Sequence, residues 1–147
     1  MITSANGIDF LGQEEGLVLH PYLDAIGRPT IGYGSTYWED GTPVQMTDPP
    51  ITKERADQLF RITLKVYEGQ VNTSIKRAIN QNQFDALVSL CYNIGTAGFA
   101  GSTLVERVNS NPNDPMIEDA FLMWRYAGGK PILLGRRKRE VGLYFGR

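Results

Sequence analysis

Residues 81–95, QNQFDALVSLCYNIG, carry the pattern that most limits the possible folds. Phe84, Leu87, Val88, Cys91 and Ile94 fall at i, i+3, i+4, i+7 and i+10, the face of an α-helix, and no strand accommodates that spacing. Gly95 makes a good C-terminal stop. A helix this apolar must be covered on its hydrophobic side, so it is expected at the centre of a larger helical region. Upstream, Thr52 is a candidate N-cap for a long helix running to about Ile79. Gly69 weakens that helix in its middle by about 1 kcal/mol relative to alanine. Downstream, shorter helices are expected over about 101–108, 115–125 and 136–145, separated by the loops SNPNDP and AGGKP. Trp124 is read as a core residue.

Before residue 52 the periodicity changes. Residues 5–15, ANGIDFLGQEE, predict a short helix with Ser4 as N-cap. LVLHPYL (17–23) reads as a strand, DAIGRP as a turn in which Gly27 tolerates positive φ, and TIGYG (30–34) as the returning strand. Residues 35–51 are rich in turn signals and are expected to close a small sheet. Trp38 is read as a cap on the core there, with stacking on a ligand ring as the functional alternative. The fold class is therefore α+β. A small N-terminal lobe, about 1–58, holds a short helix and an antiparallel sheet. A larger helical lobe, about 59–147, follows, and a long helix joins the two. A chain of 147 residues is large enough to bury a core without covalent staples.

Three polar residues stand where one kind of structure gives way to the next: Glu15, Asp24 and Thr30. At about 100° per residue, Ile8, Leu11 and Glu15 share one stripe of the first helix, while Glu14 lies about 100° away and is expected to face water. A carboxyl held against apolar surface resists ionisation, which is what a general acid needs. The hairpin brings Asp24 and Thr30 together at one end. Two carboxylates across a cleft are the equipment of glycoside hydrolysis: one protonates the leaving oxygen, and the other activates water or attacks carbon. A hydroxyl beside the second can orient that water. The plain structural alternative is a helix-end glutamate before Gly16, a turn-capping aspartate and an ordinary strand threonine.

The spacing Glu-x8-Asp-x5-Thr within EGLVLHPYLDAIGRPTIGYG resembles the catalytic signature of the phage lysozyme (endolysin) muramidases. NQNQFDALVSLCYNIG and GFAGSTL resemble that family's central helical segment, and FLMWRYAGGKPILLGRRKREVGLYF its C-terminal one. The resemblance thus extends in order over nearly the whole chain. It implies a lysozyme-like fold and hydrolysis of the β-1,4 bond between N-acetylmuramic acid and N-acetylglucosamine in peptidoglycan. It further implies Glu15 as general acid, Asp24 as second carboxylate and Thr30 as the residue that positions water. Thr36, Tyr92 and Ser102 match positions of the substrate groove. Ser35 departs from the histidine common in the family. Inversion is favoured: a carboxyl separation of about 6.5–9.5 Å would fit it, and about 5–5.5 Å would fit a retaining route. No cofactor is expected.

Other classes fit less well. A lytic transglycosylase needs the acid but not the Asp24–Thr30 pair, a chitinase would act on a different glycan, and a non-catalytic wall-binding module would have no use for all three residues. The single cysteine, Cys91, excludes an intrachain disulfide and reads as a small core hydrophobe. The only histidine, His20, reads as a surface residue beside Pro21, and no metal-ligand cluster is evident. From Lys130 onward six basic residues face one acid, a local balance of +5, and the preceding residues carry −6. The RRKR run is read as a solvated helix face with an internal Arg–Glu pair that also favours anionic polymer, not as a nucleic-acid site. The N-terminus lacks a basic region followed by an apolar one, and nowhere do about 18 apolar residues run together. Residence in the host cytoplasm until lysis is expected. Access to the wall would then depend on a membrane-permeabilising holin, and the protein is expected to act as a monomer.

Overall fold

The computed structural model describes residues 1–147. Nine elements follow in order: α1 (Ala5–Glu15), β1 (Val18–Leu23), β2 (Pro29–Gly32), α2 (Lys53–Ser74), α3 (Gln81–Ile94), α4 (Thr96–Ala100), α5 (Thr103–Ser110), α6 (Ile117–Leu122) and α7 (Leu134–Tyr144). They group into two compact units, residues 8–65 and residues 1–7 with 66–147. The long helix α2 contributes to both. The expected division near residue 58 therefore moves to residue 65, and the first seven residues join the helical unit. Their polar groups account for this. The backbone N–H and the hydroxyl of Thr3 both donate to Glu68 Oε2 at 2.6 Å. Those of Ser4 donate to Asp85 at 3.1 and 2.5 Å.

In the unit 8–65, β1 and β2 form a two-stranded antiparallel sheet. Its register is irregular: Val18 faces Gly32 and Tyr22 faces Thr30, so four steps on β1 are matched by two on β2. Pro21 lies in that interval, and a residue with no N–H fits a strand only at an edge or a bulge. The chain after β2 turns back through Gly32 and Gly34, with φ of 70° and 100°, and Ile31 and Ser35 exchange both backbone hydrogen bonds at 2.9 Å. Residues 35–51 add only isolated bridges, not further strands. Ile31, Val44 and Leu59 form a buried cluster with Trp38 and Ile51 packed against it. Trp38 is thus the core cap expected of it. Tyr33 is buried against Phe60, ring centroids 4.9 Å apart, and its hydroxyl donates to Asp57 at 2.8 Å.

In the helical unit, α3 is buried from Gln83 to Cys91 without a break, so it is covered on every side and not only along its apolar stripe. Asn80 and Gln83 start it with a reciprocal capping box, and Gly95, at φ 94°, ends it. α7 and α4 pack on α3, and α6 packs on α5 and α7. The Cys91 thiol is fully buried, which pushes its pKa up to about 12. α2 stops at Ser74, short of the expected Ile79, because the Asn109 side chain takes over its end: it donates to the Ser74 carbonyl at 2.9 Å and accepts from Lys76 N–H at 2.6 Å. The short α4 was not anticipated.

The RRKR run carries the internal Arg–Glu pair expected of it, but that pair is buried and only half of the run is solvated. Arg136 is 7% exposed, and Arg137 and its partner Glu140 are wholly buried. Arg137 Nε lies 2.7 Å from Glu140 Oε1, and Arg136 Nε lies 3.3 Å from Glu140 Oε2. Ser89 on α3 donates its hydroxyl to the same carboxylate at 2.5 Å. Lys138 and Arg139 alone of the four point outward.

Two helical glycines predict opposite outcomes. At Gly69 an added Cβ meets nothing within 4 Å, whereas at Gly12 it would lie 2.7 Å from Tyr33 Cε1. Urea denaturation is expected to show Gly69→Ala stabilised by about 0.5–1 kcal/mol. Gly12→Ala should lose about 1–3 kcal/mol to overpacking, less what helix propensity returns. A second measurement tests the buried pair. Glu140→Ala leaves two guanidiniums without their carboxylate and should lose about 3–5 kcal/mol, a larger loss than either glycine variant can produce.

Candidate active site

Ser4 starts α1 by accepting Gly7 N–H at 3.0 Å, and Gly16, at φ 80°, stops it while donating to the Gly12 carbonyl at 2.8 Å. This sets Glu15 as the final helical residue, above the buried Ile8 and Leu11. Glu15 is half-buried. Glu14 is half-buried too, so the expected contrast between a shielded and a water-facing glutamate is not what the fold produces.

Asp24 sits at the end of β1, where its backbone closes the hairpin: its N–H donates to Arg28 O at 3.0 Å, and its carbonyl accepts Gly27 N–H at 2.9 Å. Gly27 adopts φ 81°, as the turn requires. The Asp24 side chain is bound into the same turn. Oδ1 accepts Ile26 N–H at 3.0 Å and Arg28 N–H at 2.8 Å, and Oδ2 faces Arg28 Nε at 3.4 Å. The Arg28 N–H chiefly, with the Ile26 N–H and the Arg28 guanidinium, holds the carboxyl below the ordinary carboxylate range, against a smaller opposing effect of desolvation.

Thr30 is 3% exposed, opposite Tyr22 in the sheet, and its hydroxyl donates to Arg28 O at 2.9 Å. A hydroxyl has one proton and two lone pairs, so with its proton committed it can only accept. The peptide groups of Arg28 therefore hold both neighbours at once: its N–H fixes Asp24, and its carbonyl fixes Thr30. Arg28 was missed at the level of sequence. The signal available was an acid and a base four apart across a glycine turn.

The expected groove positions differ among themselves. Thr36 is half-buried, and its carbonyl accepts Val44 N–H at 2.9 Å. Tyr92 is half-buried, its ring edge-on to Tyr67 at 5.0 Å. Ser102 is 5% exposed and caps α5: its hydroxyl accepts Val105 N–H at 3.2 Å and donates to Phe99 O at 2.7 Å. His20 is exposed, as expected.

Glu15 thus ends a helix, Asp24 is locked into its own turn, and Thr30 offers an acceptor hydroxyl fixed on the Arg28 carbonyl. Residues 12–140 match the family model described as phage lysozyme. The chain belongs to the phage lysozyme family. It is a glycoside hydrolase of the lysozyme type that degrades peptidoglycan. It is 43% identical to the endolysin of Salmonella phage P22 over 145 residues, 98% of each chain. A crystal structure of a P22 lysozyme mutant superposes with a TM-score of 0.91, covering 98% of both chains. The muramidase domain of SpmX from Asticaccaulis excentricus, 33% identical, superposes with a TM-score of 0.76 over 96% of this chain and 95% of that one. No helix of this phage lysozyme is long and apolar enough to cross a membrane.

The Asp24 clamp has a sign that can be measured. A carboxyl whose folded pKa is depressed stabilises the fold above its unfolded pKa, and that contribution is lost as pH falls through the folded value. The Asp24 carboxyl, followed by carbon-detected NMR, should therefore titrate below about 3.9, the model-peptide midpoint. In Arg28→Gly, which keeps the turn N–H but drops the guanidinium, the midpoint should rise only part of the way.

Proposed function

We propose that this lysozyme hydrolyses the β-1,4 bond between N-acetylmuramic acid and N-acetylglucosamine, with inversion, and so lyses the host cell. The observation that carries this reading is the shared hold of Arg28 on Asp24 and Thr30. Both present acceptors to the same neighbourhood. A water molecule there donates one proton to the Asp24 carboxylate and the other to Thr30 Oγ1, which leaves its lone pair for the anomeric carbon. Glu15 gives its proton to the glycosidic oxygen as that bond breaks. Positive charge grows on the anomeric carbon and is met by the fixed negative charge of Asp24. The water oxygen then bonds to that carbon, and the proton it sheds passes to Asp24 and on to solvent.

The depressed pKa of Asp24 bears on the balance of roles. A carboxylate held below its usual range is a weak base, so it stabilises charge and aligns water more than it pulls a proton from that water at the start. Attack late in the breakdown of the glycosidic bond suits such a group.

Thr36 and Tyr92, both half-buried, are assigned contacts to the glycan. Ser102 is left out of that role because its hydroxyl already donates to Phe99 O and accepts from Val105 N–H, which leaves it a single lone pair. The enzyme is read as a monomer that stays in the host cytoplasm until a holin opens the membrane.

Clearing of a purified peptidoglycan suspension tests the central assignment. Glu15→Gln should lose at least about 100-fold in rate, the lower range for a general acid, with an unchanged circular dichroism spectrum. Thr30→Ser should keep most activity and Thr30→Val little, since only the former retains the acceptor. Proton NMR of the first product should show the α-anomer. A β-anomer would remove inversion, and a 1,6-anhydro end would make the enzyme a transglycosylase.

A further inference from the structure

We propose that the cavity beside Trp38 is an accessory saccharide subsite that takes an N-acetylhexosamine ring of the wall glycan. The inference rests on the reading of peptidoglycan glycan as substrate. The cavity has a volume of about 350 Å³ and is formed wholly by residues between 38 and 55 of the β-containing unit. That volume falls within the range of small-molecule sites, in which an apolar wall carries a few convergent polar groups.

The wall is rigid. Trp38 packs on the Ile31, Val44 and Leu59 cluster, its indole Nε1 donates to Asp48 Oδ2 at 2.8 Å, and the Arg55 guanidinium lies over the ring at 4.8 Å. Arg55 is itself held by both oxygens of Glu39, at 3.2 and 3.1 Å. With core on one side and Arg55 over the ring, the indole offers the cavity an edge. The broad C–H surface comes from Pro49, Pro50 and Ile51.

The polar groups are of the kind a sugar requires. Asp40 binds the Thr42 N–H and hydroxyl through Oδ1, at 3.0 and 2.6 Å, which leaves Oδ2 as an acceptor. The Thr42 hydroxyl first, then the Thr42 N–H, holds this carboxyl below its usual range, so the acceptor stays charged. Asp48 uses Oδ2 for Trp38 and for Gln45 N–H, at 2.8 Å each, and Oδ1 remains. Two charged acceptors suit hydroxyl donors, and the remaining N–H groups of Arg55 suit an acetamido carbonyl. Three carboxylates against one guanidinium disfavour phosphate-bearing polymers such as nucleic acids. The apolar wall favours a ring with a C–H face over a bare cation. A neutral amino sugar satisfies all of these groups.

The test is a titration of nitrogen-labelled Glu15→Gln protein with a β-1,4-linked tetramer of N-acetylglucosamine, followed by two-dimensional NMR. The Trp38 indole and Thr42 amide signals should move together with one dissociation constant. Thr42→Tyr, which fills the cavity, should weaken binding read at the Trp38 indole by at least about tenfold. The dispersion of the same spectra reports whether the variant is folded. If it is not, Asp40→Asn, which can keep the Thr42 contacts, should weaken binding in the same direction. The subsite is overturned if the shifts are confined to the surroundings of position 15 and Thr30, if Thr42→Tyr binds as tightly as its parent at the Trp38 indole, or if the tetramer moves nothing. It is also overturned if lysine amide moves the Trp38 signal and the tetramer does not, since the cavity would then accept an ammonium group. Failure of the wild type to clear peptidoglycan would instead sink the substrate reading itself, so the two failures are separable.

Discussion

Glu140 has no exposed surface, and the helical unit is arranged to keep it partnered. Removing a carboxylate and two guanidiniums from water costs several kcal/mol per ion, which is offset by their mutual attraction and by hydrogen bonds to the other polar atoms. Here Arg136 and Arg137 come from the same helix as Glu140, Ser89 comes from α3, and Arg137 also reaches Asn93 at 2.9 Å and the Trp124 carbonyl at 3.4 Å. The network therefore ties α7 to α3 and to the chain after α6. An apolar contact of equal area would tolerate a small rotation of α7, and this one does not. The uninterrupted burial of α3 follows the same logic: Asp85 and Ser89 can be interior because each has been given a specific partner.

The unit with the hairpin is held by different means. Its hydrophobic cluster is small, and much of its order comes from side chains that close their own local backbone: Asp24 over its turn, Asp40 on Thr42, and Asp48 on both Trp38 and Gln45. Such closures are independent of one another. A turn can be locked in this way without a large core behind it, which is what the water-positioning role proposed for Asp24 and Thr30 requires.

How much of this could be read from residues alone divides along that line. The caps at Ser4 and Thr52, the Gly27 turn and the Gly95 stop depend on neighbours a few positions away, and the pattern exposes them. So does the place of Glu15 at a helix end. The pairing of Asp24 with Thr30 through Arg28 was half legible: the hairpin was visible, the residue whose N–H and carbonyl serve both was not. What could not be read depended on distant chain. The bulge at Pro21, the early stop of α2 under Asn109, the half-burial of Glu14 and the transfer of the first seven residues to the helical unit are all tertiary effects. The RRKR run is the sharpest case. Charge predicts solvent until a buried carboxylate and hydroxyl are present to meet it, and Ser89 lies 47 positions before Arg136.

Cys91 has a consequence for the passage this enzyme is proposed to make. A protein made in a reducing compartment and released into an oxidising one ordinarily meets a change in the chemistry of its thiols. With its only sulfhydryl enclosed in α3 and its pKa at about 12, almost no thiolate exists at neutral pH to be oxidised or exchanged. The fold is therefore indifferent to redox poise, and it needs neither a disulfide to be completed outside nor a reductant to be preserved within.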